Sequence, residues 1–535
     1  MTEEKRIGIV TGVTSGTLTA VIDSDIKTLT REINGKVYYI GQIGSYVLVP
    51  VGKLIIVSMV SEFKKVDFPE NGTFTQRCIM DLNLVGTVKA GRYERGVSVI
   101  PPVDSPVFIA EDADLTAVFS VFRKFGFSVG QLSLFERERC YLDPNRFFGK
   151  HLAILGSSGA GKSCTVSSIL QKVASYPDTN VIILDIHNEY SAAFPETSKR
   201  LDIAELELPF WLMNLAELEE MFIDPRDDSA ASQVTVLKDL VVASKKGKNP
   251  QLSDVLTVDT PVYFDLSEVR AKIQYLDSEK ISGLGTAAKE GPFYGKFSRF
   301  LVRLDSRLND PRYAFMFKPK TYVQSSSFKD LLSTIFSSSE HEQITIMDLS
   351  GVPFDIVNTI VSLLARLAFD FNFWNASRRD FPILLVFEEA HNYLPSGQAG
   401  SGAARRTVER IAKEGRKYGV SCMIVSQRPA EVSETIISQC NNFVILRLTN
   451  PVDQGYVRKL MSDTFAGLID TLPSLRQGEA LIVGEAIPMP LRVQIDFPDP
   501  EPSSADIQFF DKWKQSDVKT DIPEVVDRWW KQVRG

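Results

Sequence analysis

Short apolar runs alternate with glycine-containing turns over the first 110 residues of the chain. The runs are rich in β-branched and aromatic residues and lie at 8–12, 17–22, 37–40, 45–49 and 54–60. Strands this short, at this spacing, are typical of a small β-barrel or sandwich. We interpret this module, residues 1–110, as a scaffold for assembly rather than as a catalytic part.

After residue 150, continuous apolar runs alternate with amphipathic stretches. A strand at 152–155 is followed by a glycine-rich loop, a predicted helix at 163–175 and a buried strand at 181–184. Further strands are predicted at 343–349, 383–387, 422–426 and 443–447, with a helix near 357–373. Strand, helix and strand in this order predict a parallel α/β sheet. We assign residues 111–200 and 335–500 to this core.

Two segments depart from that rhythm. Residues 201–334 are rich in charge and show helical periodicity at 203–221, 232–244 and 297–308, which predicts a mostly helical insertion. Residues 501–535 carry Trp513, Trp529 and Trp530 among mixed charges and are predicted to form a helical tail with a packing role.

Composition limits the class of protein. A chain of 535 residues is too long for one hydrophobic core and predicts two to four domains. The formal net charge of −7 restricts any contact with nucleic acid to a local basic patch or a channel. Five cysteines without a C-x-x-C pair fit a reducing compartment, and no signal peptide or run of about 18 apolar residues is evident. The sequence therefore predicts a soluble cytoplasmic protein.

The strongest chemical signal is the glycine-rich loop. Residues 156–163 fit the pattern G-x-x-x-x-G-K-[ST] and lie between a predicted strand and a predicted helix, which disfavours a chance match in a Gly/Ser-rich turn. Glycines let the backbone N–H groups converge on phosphates. Lys162 is predicted to bridge the β and γ phosphates of ATP, and the Ser163 hydroxyl is predicted to bind Mg²⁺. The predicted nucleotide contacts are Gly156, Ser157, Ser158, Gly159, Ala160, Gly161, Lys162, Ser163 and Cys164.

Acidic residues at strand ends supply the second half of such a site. Glu388 and Glu389 follow the apolar run 383–387. Glu388 is predicted to hold Mg²⁺ through water, and Glu389 to orient and deprotonate the attacking water. The alternative is two solvent-facing glutamates at a strand end. Asp185, at another strand end, is either a partner of the metal site or the residue that orients a helix start, and His187 is expected to be structural.

Basic residues are concentrated after a small-residue loop at 396–404. Arg405 and Arg406 are predicted to line a central channel and contact DNA phosphates. Arg416 is predicted to reach the ATP of a neighbouring subunit as an arginine finger. A solvated helix face is the alternative for the cations spaced along one side of this stretch, which are Arg406, Arg410, Lys413 and Lys417.

Gln427 ends another predicted strand, at the carboxyl edge where ligands bind in α/β sheets. Its amide suits a sensor of the γ-phosphate. The alternative is an amide that only caps the neighbouring backbone.

Taken together, these motifs resemble the HerA family of the HerA–FtsK superfamily. The resemblance is carried by the glycine-rich loop and by short motifs at 185–190, 388–391, 415–419, 426–429, 438–441 and 447–454. The stretch 40–47 is similar to the small β-barrel of that family. The similarity covers residues 1–195 and 335–500 and leaves out the insertion and the tail.

The resemblance implies a RecA-like P-loop NTPase core with an N-terminal small β-barrel. It further implies a hexameric ring with ATP sites between subunits, double-stranded DNA in the pore, and a nuclease or other effector as partner. By position it makes Lys162 and Ser163 the nucleotide and Mg²⁺ residues, Gln427 the sensor, Arg416 the finger in trans, and Lys150 a further phosphate contact. Glu388 stands where many relatives have aspartate, and a longer carboxylate still reaches Mg²⁺ through water.

Three functions compete at this point. The first is an ATP-driven translocase or helicase on double-stranded DNA that works with a nuclease. The second is the ATPase scaffold of an anti-phage defence complex, which assembles and regulates a nuclease or a sirtuin-like NAD-consuming effector. The third is a conjugation-type DNA pump, a class that usually carries membrane anchors.

Overall fold

A computed structural model describes residues 3–26, 28–33, 35–70, 73–135, 138–281, 289–336, 342–397, 402–461, 466–504, 507–514 and 520–531. The chain forms two compact units. Unit 1 comprises Met1–Val173, Glu389–His391 and Ser421–Glu501; unit 2 comprises Ala174–Glu388, Asn392–Val420 and Pro502–Gly535. The boundary thus separates Glu388 from Glu389.

Unit 1 begins with nine strands: β1 (Arg6–Val13), β2 (Thr17–Ile22), β3 (Thr30–Ile33), β4 (Lys36–Tyr39), β5 (Tyr46–Val51), β6 (Leu54–Glu70), β7 (Thr73–Lys89), β8 (Arg92–Arg95) and β9 (Pro106–Ile109). Pairing in the order β2-β1-β9-β5-β6-β7, with β7 returning to β2, closes a six-stranded barrel. This confirms the predicted small barrel and decides against an open sandwich. Its interior is packed with the apolar side chains of a single cluster that includes Val10, Leu18, Val49 and Met80.

The strand at 54–60 is longer than predicted. β6 and β7 pair over 17-residue strands, from Leu54 with Lys89 to Glu70 with Thr73. The outer part of the hairpin alternates exposed charged residues such as Lys64 and Asp67 with half-buried Val66 and Phe68, a weaker hydrophobic signal than the buried half gives.

The chain continues through unit 1 with elements that lead to the glycine-rich loop: α1 (Asp112–Arg123), β10 (Ser128–Leu132), β11 (Arg139–Tyr141), α2 (Pro144–Gly149), β12 (Leu152–Leu155) and α3 (Lys162–Gln171). All four residues of β12 are buried. The predicted strand, loop and helix are therefore confirmed, and the helix begins one residue earlier than predicted and ends four residues earlier.

Unit 2 supplies four neighbouring parallel strands. They are β13 (Val181–Asp185), β14 (Ser198–Asp202), β17 (Ile344–Asp348) and β18 (Ile383–Phe387), in the order β18-β13-β17-β14. Parallel strands bring their carboxyl ends to one edge. Asp185 is in register with Asp348, and Leu184 with Phe387, so the acids that end these strands are neighbours.

Between β14 and β17 the chain is mostly helical, as predicted: α4 (Ile203–Leu206), α5 (Leu215–Phe222), α6 (Ala230–Lys248), α7 (Leu266–Ser278), β15 (Lys280–Ile281), β16 (Lys289–Glu290), α8 (Ser298–Asn309), α9 (Ala314–Phe317) and α10 (Phe328–Phe336). The predicted helical stretch 203–221 is broken, because Pro209 is not accommodated in a helix interior and Asn214 caps a new helix start.

Unit 2 also contains α11 (Val357–Trp374) and α12 (Ala403–Glu414). The guanidinium of Arg366 on α11 lies 2.8 Å from the Glu217 carboxylate on α5 and donates to Leu212 O at 2.7 Å. Both charged groups are buried, so this pair fixes the helical segment to α11; breaking such a pair leaves an uncompensated buried charge.

The remaining strands of unit 1 pair with one another and with β10 and β12. They and their helices are β19 (Val420–Ser426), α13 (Glu434–Ser438), β20 (Asn442–Ile445), α14 (Pro451–Leu460), α15 (Ala466–Ile469), β21 (Glu479–Gly484) and β22 (Leu491–Ile495). The order in this unit is β11-β10-β22-β21-β20-β12-β19, with β12 parallel to both β19 and β20. The barrel is fastened to this part by the Tyr93 hydroxyl, which donates to Pro488 O at 3.2 Å.

The C-terminal tail is helical but does not bury its aromatic residues. Trp513 on α16 (Phe509–Lys514) is 77% exposed, and Trp529 and Trp530 on α17 (Ile522–Lys531) are 72% and 82% exposed. The predicted packing role of these tryptophans within the chain is therefore wrong. In the part of the chain that the structure describes, no helix is long and apolar enough to cross a membrane.

Candidate active site

The glycine-rich loop curls between β12 and α3. Gly159 has φ +69° and Gly161 has φ +102°, a left-handed region in which a side chain would be strained. A Cβ on Gly156 would lie 2.9 Å from the Cβ of Leu446. The loop is anchored at its start, where Gly156 N donates to Ser426 O at 3.2 Å. These three glycines therefore permit the compact loop that phosphate binding requires.

Lys162, the first residue of α3, is only 7% exposed. Its Nζ lies 3.7 Å from Oε1 of Glu389. Ser163 and Cys164, in the first turn of the same helix, are half-buried. The positive N-terminal end of α3 and the Lys162 ammonium thus lie on the side of the loop that suits an anion.

Glu389 is held in an unusual conformation. Its backbone has φ +46°, which costs a non-glycine residue energy and is commonest at functional sites. Its Oε2 lies 3.3 Å from His391 Nδ1 and accepts from Gln427 N at 3.4 Å. Burial lowers the pKa of His391, while the Glu389 carboxylate acts in the opposite direction. The structure therefore brings together three of the predicted residues, Lys162, Glu389 and Gln427.

His391 and Ser426 are two residues of this cluster for which sequence reasoning predicted no role. His391 Nδ1 lies 3.3 Å from Ser426 Oγ, and Ser426 Oγ also accepts from Arg428 N at 3.0 Å. Ser426 is the last residue of β19 and His391 follows the glutamate pair, so both lie next to recognised motifs. Their position next to these motifs was the one signal in the sequence, because the contact between their side chains forms only when the chain folds.

Glu388 lies in unit 2, at the end of β18, and is 2% exposed. Tyr190 donates its hydroxyl to Glu388 Oε2 at 2.5 Å, and Tyr393 donates its hydroxyl to Glu388 O at 2.6 Å. Burial, together with the Glu388 charge, raises the pKa of Tyr190 well above its usual value, which keeps this hydroxyl a donor. The alternative of a solvent-facing Glu388 is thus wrong, and no sequence pattern indicated the two tyrosines.

Asp185 organises the turn that follows β13. Its carboxylate accepts from His187 N at 3.2 Å and from Tyr190 N at 3.1 Å. Burial raises its pKa, with Asp348 and Glu189 adding to the effect against the two backbone hydrogen bonds. Of the two roles predicted for Asp185, these contacts match the orienting one. The turn in turn places Tyr190 against Glu388.

Lys150, at the end of α2, forms an ion pair with Glu485. Asn441 also donates to this glutamate, at 3.0 Å. Any contact of Lys150 with phosphate therefore competes with Glu485, and the predicted role of Lys150 stays a prediction.

The two predicted DNA contacts lie in different environments. Arg405 Nε lies 2.7 Å from Glu409 Oε1, and its Nη1 donates to the carbonyls of Pro395 and Gly397. Arg406 is exposed. Arg416, in the short 3₁₀ turn after α12, is also exposed. The loop residues 398–401, part of the predicted channel loop, lie outside the described residues.

The residues of the glycine-rich loop and of the first turn of α3 fit a nucleoside triphosphate. The left-handed glycines allow the backbone to surround phosphate oxygens, and Lys162 and the end of α3 supply positive charge. The Ser163 hydroxyl and a glutamate carboxylate are oxygen ligands of the kind that Mg²⁺ prefers alongside phosphate oxygens. The same arrangement is what a water-activating carboxylate near a γ-phosphate requires.

Comparison with known proteins shows similarity to helicases. Residues 127–368 match the family model described as the central domain of helicase HerA. A probable helicase of Methanocaldococcus jannaschii is 28% identical over 456 residues, covering 83% of this chain and 79% of that protein. The DNA double-strand break repair helicase HerA of Sulfolobus acidocaldarius is 28% identical over 436 residues, covering 80% and 81%.

The fold has a solved counterpart. The VirB4 protein of Thermoanaerobacter pseudethanolicus superposes with a TM-score of 0.50 and 17% identity, over 69% of this chain and 96% of that one. This match supports the P-loop ATPase fold. With its phosphate-binding loop and its paired glutamates, the chain is a P-loop ATPase that is similar to the HerA helicases, and its residues 127–368 match the model of their central domain.

Proposed function

We propose that this ATPase hydrolyses ATP in order to move along double-stranded DNA as a ring of several copies. The observation that carries the proposal is the cluster of Lys162, Glu389 and Gln427 in a chain whose named relatives are DNA helicases. A six-membered ring is what the family resemblance implies, and the barrel offers a rigid module for assembling it.

Hydrolysis in this proposal is divided among the residues of the site. Lys162 and the N–H groups of the loop hold the phosphates, and Mg²⁺, when bound, neutralises part of their charge. The predicted Mg²⁺ roles of Ser163 and Glu388 stay predictions. Glu389 accepts the proton of the attacking water, and Gln427 hydrogen-bonds near the γ-phosphate. The 3.7 Å separation of Lys162 and Glu389 supports this division, because the base must lie close to the phosphate that the lysine holds.

Arg416 is proposed to stabilise the γ-phosphate of a neighbouring copy. Its side chain is exposed in the single chain, and a residue that acts on a neighbouring subunit must be exposed in this way. Replacing Arg416 with alanine is expected to lower kcat about 100-fold, the usual loss when one donor to transition-state charge is removed. Steady-state hydrolysis measures this, with ring mass determined in parallel. The adjacent exposed Lys417→Ala is the control, and full hydrolysis by assembled Arg416→Ala rings removes Arg416 from the site.

DNA contact is proposed for Arg405 and Arg406, and Arg406 is the residue used to test it. A substitution of Arg405 would also remove its contacts with Glu409 and two backbone carbonyls, so its effect on DNA binding could not be separated from a local structural change. Arg406 is exposed on the first turn of α12. Each phosphate contact adds about 0.9 to the slope of log affinity against log salt for duplex DNA.

Charge reversal tests this assignment. Arg406→Glu is expected to weaken binding of linear double-stranded DNA and to lower the salt slope by about one for each phosphate that the arginine no longer neutralises. Fluorescence anisotropy at several salt concentrations measures both quantities. Arg379→Glu, at another exposed arginine of unit 2, makes the same change of charge and is expected to leave the slope unchanged. If both variants weaken DNA binding equally, the loss comes from the change in net charge and not from a phosphate contact of Arg406.

The second candidate is an ATPase that assembles and regulates an effector protein, either a nuclease or a sirtuin-like NAD-consuming enzyme. The observation that favours it is the exposed apolar surface of α16 and α17, which includes Trp513, Trp529 and Trp530. Exposed patches of this kind are typical of protein interaction sites. In that case a partner protein, and not DNA, stimulates hydrolysis.

A further inference from the structure

The segment 447–454 follows β20 and has no role in the proposed hydrolysis, although it is one of the motifs that carry the family resemblance. Its first residues contact the phosphate-binding loop. Ser157 N donates to Arg447 O at 2.9 Å, and Thr449 N donates to Ser157 Oγ at 3.1 Å. The second residue of the loop is therefore held through both its backbone and its side chain by this one segment.

The other end of the segment contacts the loop that follows β19. Asp453 is 2% exposed, and its Oδ1 accepts from Ala430 N at 3.1 Å. Its Oδ2 lies 3.9 Å from Nη1 of Arg428. Since Arg428 N also donates to Ser426 Oγ, the loop 427–431 is fixed at its base by Ser426 and further along by Asp453.

The segment is braced by hydrogen bonds between its own residues. Asn450 caps α14 by accepting from Val452 N at 2.8 Å, and Pro451 begins the helix. Gln454 donates its side-chain amide to Leu448 O at 2.9 Å. Asp453 lies in the first turn of α14, where the helix dipole stabilises a carboxylate. The segment 447–454, which is braced by its own hydrogen bonds, thus contacts both the phosphate-binding loop and the loop 427–431.

The loop 427–431 begins at the cluster of Lys162, Glu389 and Gln427. Its first residue, Gln427, donates its backbone N–H to Glu389 Oε2. A shift of this loop therefore moves both the proposed sensor and a hydrogen bond to the proposed base. The phosphate-binding loop, held by the same segment, provides the fixed reference for these two residues.

We propose that Asp453 is a positioning residue for ATP hydrolysis, which fixes the loop 427–431 so that Gln427 and Glu389 face the γ-phosphate held by the phosphate-binding loop. The inference rests on the proposed function, in which Gln427 and Glu389 act on the nucleotide. Asp453 touches neither phosphate nor water in this proposal, and acts only through the loop. Its removal therefore affects turnover and not the affinity for ATP.

The test compares Asp453→Ala and Asp453→Asn in the full chain. Alanine removes the acceptor for Ala430 N and leaves the loop free to shift, so kcat is expected to fall about 10-fold, the effect of one hydrogen bond to a charged group. The Kd for ATP, measured with a fluorescent ATP analogue, is expected to stay within about twofold because the phosphate-binding loop keeps its contacts. Asparagine retains an oxygen at the same position and is expected to restore kcat to within about threefold of the parent.

The control is Glu138→Ala. Glu138 is another buried carboxylate of unit 1, at 9% exposure, and it is held by Thr116 Oγ1 at 3.0 Å and Arg123 Nη2 at 2.6 Å. Its loss is expected to lower Tm without changing kcat at a temperature where the protein is folded. A kcat of Asp453→Ala within about twofold of the parent overturns the proposal, as does an equal loss of kcat in Asp453→Ala and Glu138→Ala.

Gln427→Ala separates a failure of this inference from a failure of the proposed function. If Gln427→Ala lowers kcat and Asp453→Ala does not, the positioning role is wrong and the function of the site stands. If Gln427→Ala leaves kcat unchanged, the proposed sensor role of Gln427 is wrong, and a loss of kcat in Asp453→Ala then supports positioning of Glu389 alone, through the backbone N–H of Gln427.

Discussion

Replacing Glu389 with glutamine is expected to lower kcat for ATP hydrolysis about 1000-fold, within the range that general bases contribute. Glutamine has nearly the same shape, so the strained backbone at φ +46° and the neighbouring side chains have little reason to move. The variant can no longer accept a proton from water. Affinity for ATP is expected to stay the same or to increase, because one negative charge 3.7 Å from Lys162 is removed.

The Glu389→Gln variant is expected to bind ATP without hydrolysing it. Phosphate release measures the rate, and a fluorescent ATP analogue measures the affinity. Glu434→Gln, at an exposed glutamate of α13 in the same unit, is the matched control and is expected to hydrolyse ATP normally. A Glu389→Gln variant with more than about a tenth of the parent kcat assigns the base to another residue.

Replacing Lys162 with alanine is expected to act earlier, on binding itself. The ammonium is almost buried at the start of α3, and in an environment of reduced dielectric its attraction to phosphate is much stronger than in water. Its loss is expected to weaken ATP binding at least about 100-fold and to lower kcat/KM about 1000-fold. The two variants therefore differ: Glu389→Gln is expected to bind ATP without hydrolysing it, while Lys162→Ala is expected to bind ATP much more weakly than the parent.

Lys172→Ala provides the control for Lys162→Ala. Lys172 lies at the other end of the same helix, where its Nζ is 2.6 Å from Oδ2 of Asp496. Removing it changes the net charge by the same amount and is expected to leave ATP binding intact. Isothermal titration of each variant with ATP measures the difference. Similar affinities for Lys162→Ala and the parent contradict the proposed role of the loop lysine.

The predictions that succeeded rest on local patterns. The strand, loop and helix around residues 152–171 follow from an apolar run, glycines that tolerate positive φ, and an amphipathic stretch, all close together in the chain. The fold class, a P-loop core with a small barrel and a helical segment, was predictable for the same reason. Barrel closure was not, because it depends on β2 pairing with the distant strand β7, where Thr17 lies opposite Asn83.

The parts of the site that sequence reasoning missed are contacts between residues that lie far apart in the chain. Tyr190 and Glu388 are 198 residues apart in the chain, yet share a 2.5 Å hydrogen bond. Ser157 and the segment beginning at Arg447 are even more distant in sequence. No local periodicity encodes such pairs, and only the register of the strands brings them together. The tail shows the opposite case, since its tryptophans predict packing while all three are largely exposed.

The most direct test of the proposed motor is the ATPase rate of the purified chain and of Glu389→Gln, each with and without linear double-stranded DNA. We expect DNA to raise the rate of the parent several-fold, in a manner that weakens steeply with salt, and to leave the variant inactive. A parent rate that DNA does not change at any salt concentration, but that rises when a partner protein is added, contradicts translocation on DNA and favours the effector-regulating ATPase.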